Sequence, residues 1–184
     1  EQALTCSAAR VGIIVVDNGS SDGTPAALLA RFPEIHVIEL ASNRGFTGGI
    51  HAGVGFSSAD FVIFLNNDAE AEPGWLDALV EAMRSSPDDV VDVGGRIVDW
   101  LRARVDFIGG VMTFDGHGFQ RDFRRPLDEV EEPPKGEAFF ACGGNMIVRR
   151  ERFLELGGFD DDYFAYLEDV DFGWRAWIAG YRLM

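Results

Sequence analysis

Three groups of polar residues stand where chemistry can use them, at the ends of apolar runs. Asn66-Asn67-Asp68 closes the run Phe61-Val62-Ile63-Phe64-Leu65, and Asp17-Asn18-Gly19-Ser20 closes residues 11–16. Glu168-Asp169 opens a segment whose apolar residues recur at helical spacing. A carboxylate can hold a divalent cation, accept a hydrogen bond from an N–H or hydroxyl, or take a proton from a nucleophile. Asp68 suits the first task, with Mg2+ or Mn2+ set between itself and a diphosphate. Asp17 suits the second, toward a nucleoside, and Asp169 the third, deprotonating an attacking hydroxyl. Each has a plainer reading. Asp68 can simply precede a helix that Pro73 starts, and Asp17 can close an Asx-type turn. Glu168 and Asp169 can favour a helix dipole while Asp171 pairs with Arg175 one turn on. For Asp171 the ion pair is the expectation, for Asp169 the base, and Glu168 is open.

The elements that must carry these groups follow from the pattern. Residues 61–65 form an apolar run without polar alternation, which predicts a strand buried on both faces of an α/β sheet. Short strands are expected at 11–16 and 35–40. Helices are expected at 26–32, with Thr24 as N-cap and Pro25 as the first helical residue, and at 50–57 after a glycine-rich loop over 42–49. Strand, loop and helix thus recur three times, which implies a parallel sheet with its loops at one edge, where ligands of such sheets lie. A helix over 73–83 carries Trp75, Leu76, Leu79, Val80 and Met83 on one stripe. Beyond residue 90 the texture changes to β segments at 90–100 and 104–114, more antiparallel than wound. Residues 115–137 are charged and proline-bearing and read as a mobile surface loop. A short helix over 150–156 stops at Gly157-Gly158, and Val170, Trp174, Trp177 and Ile178 mark the buried face of a last helix.

Composition removes several classes. The 184 residues are 47% hydrophobic and carry a net charge of -15, which fits one globular domain and repels nucleic acid and anionic membrane surfaces. No run approaches the roughly 20 apolar residues of a membrane span, and no secretory signal pattern opens the chain, so a cytoplasmic protein without a transmembrane segment is expected. Cys6 and Cys142 suggest neither a disulfide framework nor a zinc site, and His36, His51 and His117 lack short-spaced metal partners. Residues 18–29 fail as an EF-hand because Leu29 stands where a bidentate Glu is needed. Gly45, Gly48 and Gly49 do not follow the dinucleotide fingerprint, although glycines there let backbone approach a ligand.

Four blocks together resemble the family 2 inverting glycosyltransferases of the GT-A fold, in their rhamnosyltransferase-like branch. They are Val15-Val16-Asp17-Asn18-Gly19-Ser20-Ser21-Asp22-Gly23-Thr24; Asn43-Arg44-Gly45-Phe46-Thr47-Gly48-Gly49; Leu65-Asn66-Asn67-Asp68-Ala69; and Gly157-Gly158-Phe159-Asp160 running on through Glu168-Asp169-Val170-Asp171 to Arg175. The resemblance implies a Rossmann-like, mostly parallel central sheet flanked by helices, with a smaller antiparallel β segment. It makes residues 1–184 a single catalytic domain, with 1–89 the nucleotide-binding half and 90–184 the acceptor-side half.

Carried over by position, the resemblance implies that Asp17, Asn18, Ser20, Asn43, Gly45, Gly48, Gly49, Asn66 and Asn67 bind a dTDP-, UDP- or GDP-linked sugar. Asp68 becomes the metal residue, Asp169 the general base with Glu168 beside it, and Gly143, Gly144 and Asn145 line the donor sugar and acceptor side. The acceptor is expected to be a saccharide or lipid-linked saccharide, met in the cytoplasm or at the inner face of the membrane. Relatives usually begin with a further strand and extend beyond the position of Met184. The chain thus reads as a domain truncated at both ends, with an exposed sheet edge that invites self-association. The alternatives are a non-catalytic sugar-nucleotide or carbohydrate-binding module on this fold, and a nucleotidyltransferase.

Overall fold

The computed structural model describes residues 10–130 and 138–184. The first half alternates as expected: β1 (Ile14–Asp17), α1 (Thr24–Arg31), β2 (His36–Glu39), α2 (Gly45–Phe56), β3 (Phe61–Leu65) and α3 (Trp75–Ser85). Then come β4 (Val90–Gly94), β5 (Ile97–Val98), β6 (Val105–Phe107), β7 (Gly110–Met112) and β8 (Gly118–Gln120). The chain continues through β9 (Asn145–Arg149), α4 (Arg150–Glu155), α5 (Glu168–Ile178) and β10 (Arg182–Leu183).

β1 and β2 pair in parallel, with Asp17 opposite Glu39. A four-stranded sheet runs β10-β4-β9-β3, in which β3, β4 and β10 share one direction and β9 runs against them. The parallel winding read from the sequence therefore holds for β1 and β2, whereas β3 lies in the second sheet. The partner of β3 is β9, with Leu65 opposite Asn145, and no ladder joins β1 to β3 among the described residues. The reason lies in β9, whose Met146, Ile147 and Val148 are all fully buried and take the central position. As an edge strand β3 buries only Phe64 completely, so the expectation of burial on both faces is corrected. The hairpin-like pairs β5-β6 and β7-β8 supply the smaller antiparallel part.

The sheet separates two cores. On one face α3 lays Leu76, Leu79, Val80 and Met83 against Val90, Val93 and Ile147. On the other, Val54 of α2, Phe153 of α4 and Phe172 and Ala176 of α5 pack on Phe64, Val148 and Leu183, with Phe159 among them. Phe153 and Phe159 meet edge to face at 5.1 Å, and each such buried ring contributes about 1.5–3 kcal/mol. These contacts fix where α5, and hence its acidic first turn, begins.

Several local expectations are corrected. The Glu72 carbonyl accepts from the Trp75 amide across Pro73 and Gly74, whose φ of 83° makes a turn, so α3 starts at Trp75 and not at Pro73. Thr24 is the first residue of α1 and not its N-cap, which is Gly23 at φ 85°; Asp22 Oδ1 accepts from the Thr24 amide at 3.0 Å and hydroxyl at 2.7 Å. Residues 115–130 are not a free loop. β8 pairs with β7, and Arg124 and Leu127 donate their amides to Val105 and Ala103, because solvent-facing charges do not prevent main-chain pairing. Residues 131–137 of that expectation, and Cys6, lie outside the described residues. The buried face of α5 is Glu168, Phe172, Gly173 and Ala176. Of the expected stripe, Ile178 is 71% and Trp174 48% exposed, whereas Val170 and Trp177 are half-buried and Trp177 packs on the core, with Phe139 stacked on it at 6.0 Å.

Candidate active site

The β1 terminus delivers Asp17, which is buried and accepts from the Gly19 amide at 3.2 Å and the Ser20 amide at 2.9 Å, both at Oδ2. Its carboxyl is held below the usual range by Ser20, through hydroxyl and amide, and by Gly19. The Asx-type turn is thus present. Asn18 reaches across to the second block, accepting from the Arg44 amide and donating to the Gly45 carbonyl, each at 2.8 Å. Asn43 Oδ1 accepts from the Gly45 amide at 2.8 Å. These bonds start α2 at Gly45, so Gly45, Gly48 and Gly49 occupy its first turns and the expected glycine-rich loop over 42–49 is corrected to a helix start. Gly45 has φ +74°, and a Cβ there would collide with the Phe164 carbonyl and lie 2.7 Å from its ring. The Phe164 carbonyl also accepts from the Thr47 amide at 3.3 Å.

At the β3 terminus Asn66, Asn67 and Asp68 are solvent-exposed in a turn closed by the Ala69 amide on the Asn66 carbonyl. Asn66 donates its amide to the Gly144 carbonyl at 3.1 Å, and a Cβ on Gly144 would lie 2.6 Å from Asn66 Nδ2. The next residue back, Gly143, donates its amide to Asp169 Oδ2 at 3.2 Å. Two consecutive glycines therefore span from the end of β3 to the start of α5. Asn145 departs from its expected place on the sugar side. It is buried, with Oδ1 accepting from Trp75 Nε1 at 2.8 Å and Nδ2 donating to the Arg96 carbonyl at 3.3 Å, so its side chain locks α3 to the sheet.

Asp169 is half-buried, and its Oδ1 accepts from the Val170 amide at 2.8 Å. Desolvation raises its pKa in spite of these bonds. Glu168 is more deeply buried, its Oε2 has no partner among the described residues, and desolvation with the neighbouring Asp169 charge raises its pKa. Asp171 makes the expected pair: Arg175 Nε donates to its Oδ2 at 2.7 Å, while the guanidinium also serves the Leu156 and Gly158 carbonyls. Asp92 was not singled out by the sequence. It lies in β4 opposite Val148 and Leu183, fully buried, and neither carboxyl oxygen has a hydrogen-bond partner among the described residues. Burial pushes its pKa well up, and the Asp169 charge adds to this. Its signal was one acid inside Val90-Val91-Asp92-Val93. The Cys142 thiol is pushed up to about 11 by burial, which leaves it protonated and unreactive.

For a metal, Asp68 supplies one exposed carboxylate flanked by two amides, and no group of three or more His, Cys, Asp or Glu gathers among the described residues. That donor set fits Mg2+ or Mn2+ only where substrate phosphates complete the shell. No described helix is long and apolar enough to cross a membrane.

The glycosyl transferase family 2 model matches residues 2–157. The chain belongs to that family. It is 31% identical, over 93% of its length and 62% of the relative's, to the N-acetylglucosaminyl-diphospho-decaprenol L-rhamnosyltransferase of Mycobacterium tuberculosis. The chain therefore spans about three fifths of that relative. Two solved structures share its GT-A fold. The mannosyltransferase PcManGT from Pyrobaculum calidifontis, in complex with GDP-Man and Mn2+, superposes with a TM-score of 0.65 at 21% identity, covering 94% of this chain and 44% of that one. GalNAc-T7 with UDP, GalNAc and Mn2+ gives 0.64 at 18% identity, covering 94% and 35%.

Proposed function

We propose that this chain transfers a sugar from a nucleotide-diphospho-sugar to an acceptor hydroxyl with inversion at the anomeric carbon. The observation that carries the reading is the bridge from Asn66 through Gly144 and Gly143 to Asp169, which sets a carboxylate of raised pKa beside the end of β3. In the reaction the acceptor oxygen bonds to the anomeric carbon, the bond from that carbon to the diphosphate breaks, and the hydroxyl proton passes to Asp169. Asp17 with Asn18, Ser20 and Asn43 receives the nucleoside, and the start of α2 lies beside it. Asp68 with Asn66 and Asn67 would hold Mg2+ or Mn2+, which neutralises charge on the departing diphosphate. Gly143 and Gly144 line the sugar side through their backbone, and residues 1–89 and 90–184 divide into donor and acceptor halves.

The UDP and GDP-Man of the solved neighbours support a nucleotide-sugar donor, and the mycobacterial relative's name supports rhamnose and a lipid-linked saccharide acceptor. That acceptor class points to cell-surface polysaccharide or glycolipid synthesis in the cytoplasm, at the inner face of the membrane. Among the described residues β1 and β3 each leave one strand edge without a ladder, which supports self-association, and sedimentation at rising protein concentration tests it.

Calorimetric titration with UDP, GDP and dTDP, each with and without Mn2+, tests the function. Metal-dependent binding of one nucleotide is expected, and absence of binding by all three overturns it. Binding without transfer to any saccharide favours the non-catalytic module.

A further inference from the structure

Between the turn Asp161–Tyr163 and α5, three of four consecutive residues hold positive φ without being glycine: Phe164 at 58°, Tyr166 at 70° and Leu167 at 68°. Phe164, with ψ -57°, is the centre of a γ-turn closed by the Ala165 amide on the Tyr163 carbonyl at 2.5 Å. Such backbone persists only where its surroundings over-determine it, and it gathers at ligand sites. Here the surroundings are explicit. The Phe164 carbonyl is tied to Thr47, its ring lies on Gly45, and Leu167 is the left-handed residue from which α5 departs.

Folding the segment this way does not bury its side chains. Tyr166 is 86% exposed, and neither its ring nor its hydroxyl has a partner among the described residues. A constrained main chain therefore presents an amphipathic ring to solvent three residues before Asp169. Tyrosine offers a large contact face with only two side-chain torsions to freeze, an arrangement suited to binding. What must sit at Asp169 in the proposed reaction is the acceptor sugar, which has an apolar C–H face and a polar rim matched by a phenol.

We infer that Tyr166 is an acceptor-contacting residue, its ring laid against the pyranose whose hydroxyl Asp169 deprotonates. This rests on the proposed function and adds the acceptor's chemical class at this position, a pyranoside held by its ring face. Leu167, 61% exposed beside it, widens the apolar platform.

Saturation-transfer NMR with methyl pyranosides of glucose, galactose, mannose and N-acetylglucosamine, in the presence of Mg2+ and the nucleotide selected by calorimetry, tests the assignment. The parent protein is expected to bind at least one of them. Tyr166→Ala should weaken that binding by about tenfold, the worth of one ring contact, while Tyr166→Phe retains most of it. Nucleotide affinity and thermal midpoint should stay at parent values in both variants, since the ring is solvent-exposed. Should Tyr166→Ala fail to fold, Tyr166→Leu against Tyr166→Phe gives the same comparison of an aliphatic with an aromatic group. Equal pyranoside binding by parent and alanine or leucine variant overturns the inference, as does a parent that binds nucleotide but none of the four pyranosides. Loss of nucleotide binding in the parent is a different result, which overturns the proposed function itself.

Discussion

The Gly143 amide donates to Asp169 Oδ2 at 3.2 Å, and this one bond joins the strand side of the site to its helix side. A Cβ on Gly143 would lie 3.2 Å from both Glu168 Oε1 and the Phe46 ring, so the approach of the loop to α5 is as close as a glycine permits. Hydrogen bonds from backbone lower a carboxylate's pKa, whereas burial raises it, and for Asp169 burial wins. The result is a carboxylate held in one orientation yet more basic than an exposed aspartate, the combination a general base needs.

Asp169→Asn should therefore abolish transfer while leaving nucleotide binding within about twofold, since the amide keeps the size and one acceptor oxygen. In the parent, the transfer rate should fall as pH drops through the raised pKa of Asp169, at a higher pH than for an ordinary aspartate near 3.8. A pH–rate profile together with calorimetry of the variant checks both. An active asparagine variant removes Asp169 from the role.

Asp68 is exposed and carries no packing, so Asp68→Ala should leave stability within about 0.5 kcal/mol. The same change should remove the Mn2+ dependence of nucleotide binding. Titrations of parent and variant with and without metal decide it, and an unchanged metal effect assigns the cation elsewhere.

Much of this arrangement was legible in residue order. The abrupt end of Phe61–Leu65 in Asn66-Asn67-Asp68 marked the end of β3, and the stripe of α3 named its buried residues correctly apart from the half-buried Trp75. The start of α2 was not legible, because its bonds come from Asn18, 26 and 27 residues away, as well as from Asn43. Helical spacing identified α5 and the half-buried Trp177 but missed Phe172 and Ala176 on its buried face. Their burial is decided by Phe153 and Phe159 from elsewhere in the chain. The insertion of β9 between β4 and β3 is likewise a matter of long-range pairing, which local periodicity does not encode.

Asp92 sits in the core at a cost. Burial, with no partner for either oxygen among the described residues, favours the protonated form, so the folded chain keeps a proton that the unfolded chain releases near 3.8. The unfolded state then binds fewer protons as pH rises above that value, and stability is lost until the pH passes the raised folded pKa. Asp92→Val should stabilise the protein by about 1–3 kcal/mol at neutral pH and flatten this dependence. Urea unfolding of parent and variant at pH 4 and pH 7 gives the answer; a valine variant that is no more stable at pH 7 means that Asp92 is satisfied in solution.

Gly45 is where backbone freedom and close approach are both required. Its φ of +74° suits glycine, and a methyl group there would run into the Phe164 carbonyl, which is backbone and tied to Thr47. Gly45→Ala should therefore destabilise the fold by about 1–3 kcal/mol. It should also push the 163–167 turn away from α2, and with it the start of α5 and Asp169. The expected signature is a fall in transfer rate larger than the fall in nucleotide affinity, because the proposed donor residues Asn18 and Asn43 keep their places while the proposed base is displaced. Denaturant melts, calorimetry and rates on the one variant separate these effects. Parent-like rates in a destabilised variant would show that the base does not depend on this contact.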